Sequence, residues 1–139
     1  MRFKFLEHTA DVKFRAFGKT LEETFANSAL AMFNSMFNGK IKEKIKERIK
    51  VNGKDLESLL YNFLEELLIL FDSKEFFLAK VKNIKINQYK NKEYKLEAEV
   101  SGDKAENYKL IHDVKAVTYN EMFIKKEKDN YVAQVVVDV

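Results

Sequence analysis

Cysteine, proline and tryptophan are all missing from this chain of 139 residues, and glycine occurs only four times. Without cysteine there are no disulfides, no thiolate metal sites and no cysteine nucleophile. No glycine-rich phosphate loop, HExxH metal motif or nucleophile elbow is present. With only two histidines, His8 and His112, an all-histidine metal cage is hard to assemble. No apolar run approaches the roughly 18 residues of a membrane span. The basic, aromatic N-terminus lacks a signal-peptide core, so a cytoplasmic location is expected. No repeat, low-complexity tract or linker interrupts the chain, and one domain over residues 1–139 is expected.

What is present points to a globular protein: 46% of residues are hydrophobic and 13% aromatic. Charged residues make up 34%, mostly lysine and glutamate, which together with the missing proline leans towards a thermophilic or AT-rich host. The net charge of +3 balances 25 basic against 22 acidic side chains, too even for a dedicated nucleic-acid binder. The densest basic run, residues 40–54, is interleaved with Glu43 and Glu47 and reads as a solvated surface.

Local patterns set out the elements. Phe3 and Phe5 suggest a short strand or extended arm, and Val12, Phe14 and Ala16 alternate with Lys13 and Arg15 as in a half-buried strand. After Gly18, Thr20 and Glu23 predict a capping box. The helix it opens buries Leu21, Phe25, Ser28, Ala29, Met32, Phe33 and Met36, and Asn38-Gly39 is expected to stop it. Residues 40–51 fit either period, with a charged outer strand favoured. Asp55 caps a second helix whose leucines and phenylalanines, from Leu56 to Phe71, form a broad core face. Val81, Ile84 and Ile86 mark an irregular strand, and Tyr94, Leu96, Ala98 and Val100 a regular one. Ser101-Gly102-Asp103 reads as a turn, followed by a polar, briefly helical connector. Residues 114–125 and 131–137 then form a final hairpin. The order predicts an α+β fold, with two helices packed on one face of a largely antiparallel sheet in a two-layer domain.

Two segments attract chemistry. His8 and Asp11 stand three residues apart before a strand, a weak signal by itself because Asp11 could simply cap a turn. Asp138 and Val139 end a strand-like run with a side-chain carboxylate next to a terminal one. These are hard oxygen donors suited to Ca²⁺, Mg²⁺ or Mn²⁺ rather than zinc, or else simply an exposed acidic terminus. Lys115 interrupts an otherwise uncharged strand and by alternation shares a face with Val117, Tyr119 and Phe123. It either snorkels to the sheet edge or offers an ammonium to a phosphate or an acidic partner.

FLEHTADV (5–12), GKTLEETF (18–25), ESLLYNFLEELLILFD (57–72), SGD (101–103), VKAVTY (114–119) and the closing VVVDV run through nearly the whole chain. In content and order they resemble the archease family. One departure is Asn120, where the family often has histidine.

The resemblance implies an accessory protein, not itself an enzyme, that activates the RNA-splicing ligase RtcB in tRNA splicing and RNA repair. That ligase joins RNA ends through a GMP-histidine intermediate and divalent metals. The family's proteins promote its guanylylation and multiple turnover, so tRNA or other RNA would be met only through the ligase. The implied metal ligands are Asp11, Asp138 and the main chain or terminal carboxylate of Val139, holding a divalent cation with calcium foremost. Lys115 maps to the functional lysine, and His8 is read as orienting the Asp11 loop rather than as a ligand. Two other classes stay open. One is a chaperone-like modulator of RNA-modifying enzymes such as methyltransferases, a role also proposed for the family. The other is a stand-alone metal-dependent hydrolase acting on nucleotides or RNA.

Overall fold

The computed structural model describes residues 1–8 and 10–139, so Thr9 of the HTAD motif lies outside the described residues. Strands β1 (Phe3–Leu6) and β2 (Val12–Gly18) lead into helix α1 (Leu21–Asn34). Strand β3 (Ile45–Gly53) and helix α2 (Leu56–Lys74) follow, then β4 (Phe76–Gln88) and β5 (Tyr94–Lys104). A 3-10 turn at Ala105–Asn107 precedes the closing hairpin of β6 (Ala116–Glu127) and β7 (Asn130–Asp138).

The α+β class holds, but the strands part into two sheets: β1-β2-β7-β6 and β3-β5-β4. Every pairing is antiparallel. Both helices touch both sheets. Their apolar faces meet Phe14, Val135 and Val137 of the first sheet and Leu96, Ala98 and Val100 of the second in one hydrophobic cluster. Periodicity shows that each strand has one buried face; it does not say which strands pair, because pairing is non-local. Among the described residues no helix is long and apolar enough to cross a membrane.

The caps follow from the side chains available. Thr20 accepts the Glu23 N–H at 3.0 Å, which is half of the expected capping box; among the described residues no return bond joins the Glu23 carboxylate to the Thr20 N–H. Asp55 accepts the Ser58 N–H at 2.7 Å while the Ser58 hydroxyl takes the Asp55 N–H at 3.2 Å, a reciprocal box. Helix α1 ends earlier than Asn38-Gly39. Ser35 closes it, its hydroxyl donating to the Met32 carbonyl at 2.7 Å. No glycine adopts positive φ, so the expected left-handed glycine stop is not used.

The Ser101-Gly102-Asp103 turn is a further correction, since all three residues are buried inside β5. Gly102 pairs with Leu78 of β4 and with Ile45 of β3. Asp103 organises the connector after the strand, accepting from the Lys104 N–H at 2.8 Å, Asn107 Nδ2 at 3.3 Å and the Tyr108 hydroxyl at 2.8 Å. The tyrosine hydroxyl, more than the other donors, holds that carboxyl below its ordinary range. Polar short side chains resemble a turn in sequence because they bond local backbone, and Asp103 does so from the end of a strand.

Candidate functional site

Strand β7 is an interior strand of its sheet, with β2 on one side and β6 on the other. Val132, Val135, Val136 and Val137 are all buried, which fixes the backbone up to the end of the strand. Asp138 therefore sits at the end of a firmly held strand. Val12 pairs with Val137, which brings Asp11 along one flank of Asp138. Ala116 pairs with Asp138, and the Lys115 N–H donates to the Asp138 carbonyl at 2.8 Å on the other flank. Asp11, Asp138 and Lys115 thus occupy three neighbouring strand ends at one edge of the sheet. Val139 is half-buried and packs against the core.

His8 stands behind Asp11, its Nδ1 3.8 Å from Asp11 Oδ2 with the two side chains 17% and 30% exposed. That distance is too long for a hydrogen bond, and among the described residues the buried Nδ1 has no hydrogen-bond partner. The other ring nitrogen, Nε2, lies 3.0 Å from Glu121 Oε2, and Lys13 Nζ donates to Glu121 Oε1 at 3.1 Å. The hydrogen bond from Lys13, then that from His8, holds the Glu121 carboxyl below its ordinary range. Glu121 thus fixes the His8 ring and ties the chain before β2 to β6.

Strand β6 places these groups through an irregularity. Thr118 pairs with Val136 and Phe123 with Gln134, so residues 119–122 together face Val135. Glu121 takes φ 55° there, and its carbonyl accepts Gln134 Nε2 at 2.8 Å. The extra residues reverse the alternation. Val117 is buried in the core, whereas Phe123 lies on the opposite face with Arg15 5.6 Å above its ring. The expectation that Phe123 shares a face with Lys115 and Val117 is corrected accordingly. Tyr119 instead stacks on Tyr61 of α2, ring centroids 4.3 Å apart and planes at 7°. Burial, followed by the charges of Asp55 and Glu65, raises the Tyr119 phenol.

Sequence reading did not single out Lys13 or Glu121. The available signal was the polar pair Asn120-Glu121, which breaks an alternating strand; its distant partners were invisible. Lys115 is exposed, and its side chain is free to reach outward. A shallow groove of about 320 Å³ beside Asp11 is lined by Phe5, Lys13, Ile111 and His112 among others. Phe5 and Ile111 are 44% and 75% exposed, so apolar surface borders Asp11.

Among the described residues no three His, Cys, Asp or Glu side chains gather to hold a metal ion. A cation at Asp11 and Asp138 would therefore need main-chain oxygen and water to complete its shell. Carboxylate oxygens of this kind would suit a hard cation that retains water, and the neighbouring histidine is engaged by Glu121.

Acidification gives a direct check of the Glu121 network. A carboxyl held below its ordinary value stabilises the fold above that value and loses the contribution as pH falls through the lowered one. The wild type should thus lose thermal stability below about pH 4 more steeply than Glu121→Gln, with parallel curves above it. Unfolding temperature measured across this range decides the point.

The family model described as the Archease protein family (MTH1598/TM1083) matches residues 3–139. A curated protein archease of Methanosarcina acetivorans is 41% identical over 141 residues, covering 99% of this chain and 96% of that protein. Its counterpart in Pyrococcus abyssi is 42% identical over 142 residues, with 99% of each chain covered. The solution structure of Methanobacterium thermoautotrophicum protein 1598 superposes with a TM-score of 0.83 at 35% identity, covering 99% of each chain. A crystal structure from Thermotoga maritima, described as an archease and possible chaperone, shares the fold with a TM-score of 0.58 at 20% identity; 98% of this chain and 96% of that one are covered.

Proposed function

The chain belongs to the archease family, and from that premise we propose that it is a metal-binding accessory protein of the RtcB RNA-splicing ligase, promoting its guanylylation and multiple turnover. The observation that carries this reading is the meeting of Asp11, Asp138 and Lys115 at one end of the first sheet, on either flank of β7. Asp11, Asp138 and main-chain oxygen of Val139 would hold a divalent cation there. Bound, such a cation supplies positive charge to a nucleotide phosphate as charge develops during nucleotidyl transfer.

The chain's own residues do the rest. Lys115 presents a compact ammonium to a phosphate oxygen or to a ligase carboxylate. Its main-chain bond to Asp138 fixes the point from which that side chain starts. His8, clamped by Glu121, limits the positions open to Asp11. Phe5 and Ile111, exposed beside Asp11, give a docking face that excludes water when the ligase closes over it. The test is single-turnover GMP transfer to the ligase of the same organism, with and without this protein.

The same exposed groove favours a second reading, a chaperone-like modulator of RNA-modifying enzymes. Suppression of a client's aggregation that persists in chelator and in Asp138→Ala would favour it over ligase activation.

A further inference from the structure

The three-stranded sheet turns one face to the helices and the other to solvent, and the pleat sorts charge between them. Leu96, Ala98 and Val100 of β5 are buried in the core, so Lys95, Glu97 and Glu99 point outward, while Ser101 shares their side of the pleat but is itself covered, its hydroxyl donating to Glu43 Oε1 at 2.7 Å. The register places Lys46, Arg48 and Lys50 of β3 opposite Ser101, Glu99 and Glu97. Lys80, Lys82 and Lys85 of β4 lie opposite the same three residues on the other side. The result is two rows of cations flanking a short acidic row. Two strand spacings put the rows about 10 Å apart.

Most of this positive charge is unneutralised. Glu97 pairs with Lys50 at 3.7 Å, Glu43 with Lys82 at 3.1 Å, and Glu99 accepts Asn83 Nδ2 at 3.1 Å. Glu47, which in chain order interrupts the basic run, points to the inner side and pairs with Lys74 at 3.2 Å. Among the described residues Lys46, Arg48, Lys80 and Lys85 make no salt bridge. Along the chain these residues read as a solvated mixture; folded, they make a basic face.

We propose that this face is a second interaction surface, which binds the phosphate backbone of base-paired RNA directly. Charge complementarity selects a polyphosphate, and the choice of RNA rests on the ligase-accessory reading above. The outward positions of the two rows carry lysine, arginine, glutamate and asparagine, and the exposed Tyr89 at the far end of the face, with Lys95 5.8 Å from its ring, is a single ring and not a platform on which successive unpaired bases stack. Duplex RNA needs none: it is recognised through its phosphates and through 2′-hydroxyls in a wide, shallow minor groove. Two cationic rows suit the phosphates on either side of such a groove, and Glu97 and Glu99 between them accept from 2′-hydroxyls. The ligase-activating edge lies on the other sheet, so both surfaces can be engaged at once.

The experiment measures binding of a short RNA hairpin duplex to the full chain without ligase, across a salt series. A triple variant, Lys46→Gln, Arg48→Gln and Lys85→Gln, is compared with wild type. Single-stranded poly(U) and anionic phosphatidylserine vesicles serve as competing probes. The expected result is salt-dependent duplex binding by the wild type, weakened at least about tenfold in the variant, with the log–log salt slope reduced by about three. Acceleration of ligase guanylylation, a step without RNA, should stay at the wild-type level in the variant, which also shows that it folds. Equal duplex affinity of variant and wild type, no duplex binding, or a preference for vesicles or poly(U) overturns the proposal. If guanylylation is not accelerated even by wild type, the ligase reading fails while duplex binding still decides this one.

Discussion

Replacing Lys115 with alanine should reduce the acceleration of ligase guanylylation by roughly 10- to 100-fold, the loss expected when one hydrogen bond to a charged group is removed. Its folding contribution should be untouched. The part of Lys115 that serves the fold is its main-chain N–H, which bonds the Asp138 carbonyl at 2.8 Å and is kept by alanine. The side chain is exposed and makes no salt bridge among the described residues. Lys115→Arg is the informative companion. It keeps the charge but replaces a point ammonium with a broader planar fork, so partial rescue is expected. Rate constants for GMP transfer, with unfolding temperatures as control, separate the two roles. A Lys115→Ala protein that activates at the wild-type rate removes this lysine from the mechanism.

Gly102→Ala should be the most destabilising single-methyl change in the molecule, costing about 3 kcal/mol or more. A Cβ at that position would run into the carbonyl of Phe77 and press on the Phe76 ring. The obstacle is backbone of the adjacent strand, so no rotamer change relieves it. Gly102 is also paired on both sides, with Leu78 and with Ile45, and a shift would disturb β3 and β4 together. For a chain of this size the expected fall in unfolding temperature is on the order of 10 °C. Denaturant midpoints with an unchanged slope would confirm a loss of stability rather than a change of unfolded state. A cost under about 1 kcal/mol would mean that β4 and β5 do not approach each other this closely.

What the sequence made readable was local. The alternation of Val12, Phe14 and Ala16 and the threefold and fourfold spacing from Leu56 to Phe71 depend only on neighbours in the chain. So do the caps at Thr20 and Asp55. What escaped was decided by distant contacts. Gly102 sits in a strand because Phe77 needs the space, not because glycine favours a turn. Phe123 changes face because the chain between Thr118 and Phe123 bulges to bring Glu121 towards His8 and Lys13, over 100 residues away in sequence. The basic face of the second sheet was hidden in the same way. Glu47 lies among lysines in the chain but on the other side of the pleat from Lys46 and Arg48. The candidate site came from family resemblance, because no local pattern marks it; what the fold adds is that β2 and β6 flank β7, so the chain at Asp11, Asp138 and Lys115 lies close together.

Single-turnover transfer of GMP to the RtcB ligase of the same organism tests the central claim most directly. It compares no addition, the wild-type protein and Asp138→Ala, each with the divalent cation titrated. Asp138 is half-exposed at a strand end whose main-chain pairing alanine preserves, so the variant should remain folded. The account predicts strong acceleration by wild type that is lost in Asp138→Ala and recovered little, if at all, by added cation. Equal acceleration by the two proteins, or none by either with an active ligase, would contradict it.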